Sequence, residues 1–370
     1  MRLGRLRSAL TEKSLEALIV SNPTDIRYLT SFNGEDSLLV VWPDGATIVS
    51  DPRHEEFLEP WSASGLTDVI MGTRHQLERA LKALATDAGL ARLGVQADEL
   101  TIATRRRLAS GVGDIKLIDS EGILARLRLI KDDLEVTAIE RAASIHQQAA
   151  RNALGRLHEG MTELELCALI EYEMKTHGAS GPSFGTMVAT GPRSSVIHHQ
   201  TGAAPIGEGP LLIDWGAVVD GYCSDMTRTF AVGSLPDKIG EIYQIVYDAQ
   251  QEAIAACEPG RSCAEVDAVA RRLITAAGYG DQFSHGLGHG LGLDIHEEPY
   301  FNNLATDVSL EPGMVMTVEP GIYLPGVGGV RIEDDVLITE SGCRLLTDFP
   351  KDLTSIVLEQ RRPAERPAHA

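Results

Sequence analysis

Four acids stand at matched places in two β-hairpin patterns: Asp214 and Asp225 in the first, Glu319 and Glu333 in the second. The first pair lies in LLIDWGAVVDGYCSDMTRTF, where two apolar runs flank Asp220-Gly221, a strong turn signal. The second lies in MVMTVEPGIYLPGVGGVRIEDDVLI, whose runs flank a loop of Pro325, Gly326, Gly328 and Gly329. The midpoint of each pair falls in or beside its turn, so each hairpin carries its two carboxylates roughly side by side. Two like charges about 4 Å apart repel by about 4 kcal/mol at an effective dielectric of roughly 20. Four carboxylates on apolar strand faces therefore need protons or cations, and a pair of divalent metal ions is the simplest remedy.

Between the hairpins lies FSHGLGHGLGLDIHEEP, which sets His285, His289 and His296 in a glycine-rich frame. Glycine lets backbone approach closely, so a side chain on this segment can reach into a crowded site. Imidazole completes an oxygen-rich ligand set suited to Mn, Co, Fe or Zn rather than Ca. His285 and His289 also have i, i+4 helical spacing, but Gly286, Gly288, Gly290 and Gly292 argue against a helix. His296-Glu297-Glu298-Pro299 lacks the second His of a zinc-binding HExxH helix, and no G-x-G-x-x-G dinucleotide fingerprint is present.

DWGAVVDGYCSDMTRTF, HGLGHGLGLDIHEEP, TVEPGIY and GVRIEDD resemble successive motifs of the creatinase/aminopeptidase P/prolidase family, the "pita-bread" metallopeptidases. The pattern is most like an Xaa-Pro aminopeptidase or Xaa-Pro dipeptidase. The resemblance covers the C-terminal two thirds closely and the N-terminal third more loosely. It implies an α/β N-terminal domain followed by an α+β pita-bread domain with an internal pseudo-twofold repeat. It implies two divalent ions, Mn first and Co, Zn or Fe as alternatives, held by Asp214, Asp225, His289, Glu319 and Glu333. Asp225 and Glu333 would bridge, Asp214 would complete one metal, and His289 with Glu319 the other. Glu319 would also carry the proton from the nucleophilic water to the leaving amine.

His198 in SSVIHHQTG resembles the family's substrate- or transition-state-holding His; Val-Ile-His fits better than the adjacent His199. His296 resembles a second catalytic His that hydrogen-bonds the scissile carbonyl or peptide backbone. His285 resembles the residue on the leaving-group side of the pocket. The bland alternative is a solvated loop His for His198 or His199 and a loop His satisfied by backbone for His285. Arg331 shares a strand face with Glu333 by the period of two, so its charge would orient ligand carboxylates or meet a substrate carboxylate. Tyr323 and Thr227 are candidates to support the ligands, with plain strand packing as the alternative. Trp215 reads as core or pocket wall.

The chain has 370 residues, which suits two domains. Its net charge of −20 disfavours nucleic acid and anionic membrane surfaces as partners. No segment approaches the ~18 apolar residues of a membrane span. Cys167, Cys223, Cys257, Cys263 and Cys343 are scattered and odd in number, which reads as reduced thiols in a cytoplasmic protein.

Residues 1–128 alternate helical and strand patterns. An amphipathic start near Leu3–Thr11 precedes strands in LEALIV, SLLVVW and ATIVS; helices near Gln76–Ala88 and Glu99–Ala109 separate strands LGV and IKLI. The resemblance implies that such a domain takes part in homodimer contacts. Residues 129–358 form the second domain, opened by a long helix after Asp132/Asp133, and 359–370 read as a disordered Pro/Ala/Arg-rich tail. Within the second domain, HEGMTELELCALI (158–170) and EPGRSCAEVDAVA (258–270) align at an offset of 100, each carrying a capping box, Thr162-x-x-Glu165 or Ser262-x-x-Glu265. Two helix–helix–hairpin halves related by a pseudo-twofold axis would bring the acidic hairpins together.

The leading expectation is metal-dependent hydrolysis of the bond between an N-terminal residue and proline, by a hydroxide bridging two metals. A peptide or small amide is then the substrate. Two alternatives stay open: a metal-dependent hydrolase of a small non-peptide or cyclic amide, and a non-catalytic pita-bread binding module. Creatinase-like and scaffold members have typically lost metal ligands; here all five persist.

Overall fold

Short apolar runs alternating with amphipathic helices build a six-stranded sheet in the first 128 residues. Its order is Asp68–Met71, Gly45–Ser50, Leu38–Trp42, Ala17–Val20, Arg92–Gln96, Lys116–Ser120. Ala17–Val20 is central and wholly buried, which explains why its sequence is apolar throughout rather than alternating. Helices Leu77–Asp87 and Ile102–Val112 bring Leu81, Ala85, Leu108 and Val112 to the core formed by Ile19, Val40, Leu93 and Val95. This computed structural model describes residues 2–33, 36–64, 68–71 and 77–361. Gln76, where the sequence places a helix start, lies outside them. The helix Pro23–Thr30 is an addition to the sequence expectations, and its signal is local: Asn22 caps it by accepting from the Thr24 and Asp25 amides, and Pro23 sits at its first turn.

The chain divides into two compact units, Met1–Arg128 and Leu129–Ala370. The second is the α+β unit, and its halves repeat. Helices Asp133–Leu154 and Glu163–Thr176 precede the first acidic hairpin; Asp237–Ala255 and Cys263–Ala276 precede the second. Both capping boxes form, with Thr162 and Ser262 each accepting from the backbone of the Glu three residues on. Asp132 makes a third at the head of the long helix. Each box satisfies orphan donors at a helix start and fixes where the helix begins.

Strands Gly209–Trp215 and Met226–Val232 pair antiparallel over seven residues, with Met187–Thr190 and Val357–Leu358 at the sheet edges. The tip turns as expected at Asp220-Gly221, both with positive φ (51° and 82°). In the other half, Val315–Val318 pairs with Asp334–Thr339 in a five-stranded sheet, and Gly321–Leu324 pairs with Gly328–Arg331 beyond it. The halves are stitched where the two hairpins meet. Glu333 donates its amide to the Thr227 carbonyl at 3.1 Å, and the Thr229 hydroxyl links both the amide and the carbonyl of Arg331. A continuous core of Trp215, Phe230, Tyr243, Phe283 and Phe301 lies beneath. At the C-terminal end, Arg361 donates its amide to the Leu157 carbonyl. Residues 362–370, most of the segment expected to lack order, lie outside the described residues.

Candidate metal centre

The seam between the hairpins gathers the acids. Asp214 is the penultimate residue of the first long strand, opposite Thr227, and Asp225 immediately precedes the returning strand. Val318 pairs with Asp334, so Glu319 and Glu333 flank that pair at the end of the second ladder. His289 enters from the three-residue strand Gly288–Gly290. Here the glycines are steric necessities: a Cβ at Gly288 would lie 2.1 Å from the Thr317 carbonyl oxygen, and one at Gly290 2.5 Å from that of Glu298. The strand can press this close only because it carries no side chain on either side of His289.

Ligand atoms of Asp225, His289 and Glu333 all lie within 4.8 Å of one another, and all three residues are buried. His289 Nε2 is 3.8 Å from Asp225 Oδ2 and 3.5 Å from Glu319 Oε1. Asp214 stands beside them with its Oδ2 held by Arg331 Nη2 at 2.6 Å. These groups line a cavity of about 460 Å³ together with His198, His285 and His296.

Charge is unbalanced in this cluster. Burial, then the carboxylates around them, pushes Asp225 and Glu333 well above the usual carboxylate range. Glu319 is pushed up to about 8 by burial and the Asp214 charge, against the opposing pull of Arg331. Burial lowers His289 to about 4, so its ring is neutral. His289 Nδ1 donates to the Gly290 carbonyl at 3.0 Å, which leaves the Nε2 lone pair facing the acids. Asp214 Oδ1 and Asp225 Oδ1 are buried without a hydrogen-bond partner. Buried carboxylate oxygens are rarely left unsatisfied. A divalent cation is the fitting partner: it needs oxygen donors with one imidazole, neutralises the clustered charge, and uses those idle lone pairs.

The surrounding histidines divide by role. His198 is exposed at the cavity mouth, whereas His199 turns away and places Nε2 2.9 Å from the buried Glu163 carboxylate. His296 lines the cavity with its ring edge-on to His289, centroids 4.5 Å apart. His285 also lines it, but both ring nitrogens are engaged: Nδ1 donates to the Gly286 carbonyl at 2.7 Å, and Nε2 meets Tyr323 Oη at 3.0 Å. Burial holds its pKa at about 4. Tyr323 accepts from Arg331 Nη1 at 3.0 Å and so donates onward to His285. Arg331 Nε donates to Thr227 Oγ1, which itself donates to Glu333 Oε2 at 2.7 Å. Arg331, Tyr323 and Thr227 thus form one hydrogen-bonded frame behind Asp214 and Glu333. Trp215 is fully buried in the core.

Sequence reasoning passed over several participants. Asp335 accepts the Asp225 amide at 3.0 Å, fixing one hairpin's acid from the other hairpin. Burial would raise Asp334, but Arg228 and Lys351 hold it below the carboxylate range, at 2.6 and 2.5 Å. The signal was present: three consecutive acids, Glu333-Asp334-Asp335, cannot all face solvent from one buried strand. Glu163, His146 and Ser224 gave no such signal, since their contacts join elements distant in sequence.

This fold and site define a metallopeptidase of the pita-bread type. Residues 137–340 match Metallopeptidase family M24 and residues 2–130 match the Creatinase/Prolidase N-terminal domain, and the chain belongs to that family. The Xaa-Pro dipeptidase of Pyrococcus furiosus is 38% identical over 358 residues, 95% of this chain and 99% of that protein. The structure of an Xaa-Pro dipeptidase from Bacillus anthracis superposes with a TM-score of 0.91 at 36% identity, covering 96% of this chain and 99% of the other. An X-Pro aminopeptidase from Thermotoga maritima gives 0.87 at 31% identity, covering 97% and 100%. Among the described residues no helix is long and apolar enough to cross a membrane.

Proposed function

We propose that this protein is an Xaa-Pro dipeptidase or aminopeptidase that hydrolyses the bond between an N-terminal residue and proline with two divalent ions. The observation that carries this reading is the convergence of Asp214, Asp225, His289, Glu319 and Glu333 on one cavity wall, with buried carboxylate oxygens left idle. The Xaa-Pro specificity of similar proteins supports the choice of substrate. The five residues would hold the ions, Mn first among the candidates. When bound, such ions polarise a carbonyl and make water a nucleophile near neutral pH.

The chain's own groups do the rest. Glu319 sits at the cavity wall, where its carboxylate can take a proton from water and return it to the departing proline nitrogen. His296 and His198 reach the cavity from opposite segments and serve as hydrogen-bond partners for the scissile carbonyl and the peptide backbone. The Arg331 frame holds Asp214 and Glu333 at fixed positions throughout, because both are tied to a fully buried guanidinium network. His285 shapes the wall rather than donating freely, its nitrogens being committed to Gly286 and Tyr323.

The test is an assay of Mn- and Co-reconstituted protein on Xaa-Pro dipeptides, Xaa-Pro-Yaa tripeptides, proline-free controls and cyclic amides. Chelator-sensitive cleavage before proline is expected. Equal rates on proline-free peptides would refute the assigned specificity.

A further inference from the structure

His198 reaches the cavity from residues 191–203, a short 3-10 helix (Gly191–Ser195) followed by irregular chain, and something must hold that stretch in place. Its two ends are fastened by hydroxyls. Ser194 Oγ donates to the Gly191 carbonyl at 2.7 Å and accepts the Gly329 amide at 2.8 Å. Thr201 Oγ1 accepts the Val188 amide and donates to the Thr186 carbonyl. Between these anchors, side chains alternate between exposed and half-buried. Among the described residues, the one side chain of 195–200 bonded outside the stretch is His199, whose Nε2 donates to Glu163 Oε2 at 2.9 Å.

Glu163 is built to receive it. It opens the helix Glu163–Thr176, directly after the Thr162 cap, and is completely buried. Its Oε1 accepts the Thr190 amide at 2.9 Å, and its Oε2 accepts the Gly202 amide at 3.3 Å beside His199. One carboxylate therefore ties Thr190, just before the segment, and His199 and Gly202 within it to the start of one helix. The helix backbone adds two bonds of its own, from Glu163 and Leu164 amides to the Ala204 and Gly202 carbonyls. Hydrogen bonds to a buried charge are the strong class, and they hold geometry as well as supplying energy.

We infer that His199 and Glu163 form a positioning pair that aims the adjacent His198 at the substrate. The inference rests on the proposed reading, in which His198 contacts the scissile peptide. His199 itself touches no substrate in this scheme; it acts through its neighbour. The second half of the unit has a counterpart, where buried Asp267 accepts the Leu287 amide at 3.1 Å and pairs with Arg271, which donates to the Phe283 and His285 carbonyls. Each half thus uses a buried acid on its second helix to pin the loop that carries a cavity histidine.

A double-mutant cycle tests this directly. Full-length wild type, His198→Ala, His199→Ala and the double variant are loaded with Mn and compared for kcat, KM and metal content on an Xaa-Pro dipeptide. His199→Ala should lower kcat/KM by about 10-fold, the size of one lost hydrogen bond to a charged group, with metal content unchanged. In the His198→Ala background the same substitution should cost nothing further. His199→Gln, whose amide can still donate to Glu163, should recover part of the loss. Equal losses in both backgrounds, or wild-type kinetics for His199→Ala, would overturn the inference.

Trypsin supplies a readout independent of catalysis. Arg193 is exposed within the pinned stretch, and release of that stretch should speed nicking at Arg193–Ser194 in His199→Ala and in Glu163→Gln. If wild type cleaves no Xaa-Pro peptide, the functional reading fails, and the nicking rate then decides the positioning claim: equal rates for wild type and His199→Ala reject it.

Discussion

Arg331 Nη2 lies 2.6 Å from Asp214 Oδ2, while the other oxygen of the same carboxylate is buried with no hydrogen-bond partner. The guanidinium therefore anchors the acid by one oxygen and leaves the second without a protein partner. Replacing Arg331 with Met should loosen Asp214 and, through Thr227, Glu333. Metal affinity should weaken by roughly 10- to 100-fold, the usual cost of losing a group that orients a ligand. Metal content after dialysis, measured by atomic emission against wild type, gives the answer; unchanged occupancy would show that the ligands are held without Arg331.

The cluster's excess negative charge should make the protein depend on cations for stability as well as activity. Chelation should abolish turnover and lower the Tm, and readdition of Mn or Co should restore both. At a metal concentration of about 100 times Kd the stabilisation is about 2.7 kcal/mol. Asp225→Asn and Glu333→Gln should shrink this metal-dependent rise in Tm, as read by calorimetry with and without Mn. A chelator-insensitive Tm would mean that the acids are balanced in some other way.

Glu319 follows the strand Val315–Val318 directly, and its carboxylate accepts from the Thr317 hydroxyl at 3.3 Å. Glu319→Gln keeps the shape and removes the proton carrier. The expected effect is a fall in kcat of about 10²- to 10⁴-fold, the range for a lost general acid–base group. KM should move much less. A variant with kcat within a few fold of wild type would assign proton transfer elsewhere.

Much of this was readable from the chain because the relevant spacing is local. Asp220-Gly221 fixes the first hairpin tip, and the two capping boxes announce the repeat that superimposes the hairpins. Glycines on both sides of His289 signal close approach, and the structure shows backbone carbonyls where a Cβ would stand. Cross-chain support was not readable. Asp335 reaches the Asp225 amide over 110 residues, and the Arg331–Asp214 bond spans 117. A one-dimensional pattern says which face a strand buries but not which side chain from elsewhere arrives there. The doubled His198-His199 shows the same limit: identical residue types part company only because Glu163 stands behind one of them.

His146 makes stability depend on pH. It lies on the long helix, wholly buried, with Nδ1 2.8 Å from Ser224 Oγ while its backbone carbonyl accepts Trp215 Nε1 at 3.0 Å. It thereby touches the neighbour of Asp225 and the neighbour of Asp214 at once. Burial, reinforced by the Arg228 charge, lowers its pKa to about 3 against an ordinary 6.5. A base whose folded pKa is depressed favours the fold when neutral. Its contribution is complete above the unfolded pKa of 6.5 and is lost as pH falls from there toward 3. At pH 4 the loss amounts to about 3 kcal/mol by linkage. His146→Gln preserves a polar partner for Ser224 but does not titrate, so its Tm should fall less steeply than that of wild type between pH 6.5 and 4. Parallel Tm profiles for the two proteins would show that this imidazole carries none of the acid sensitivity.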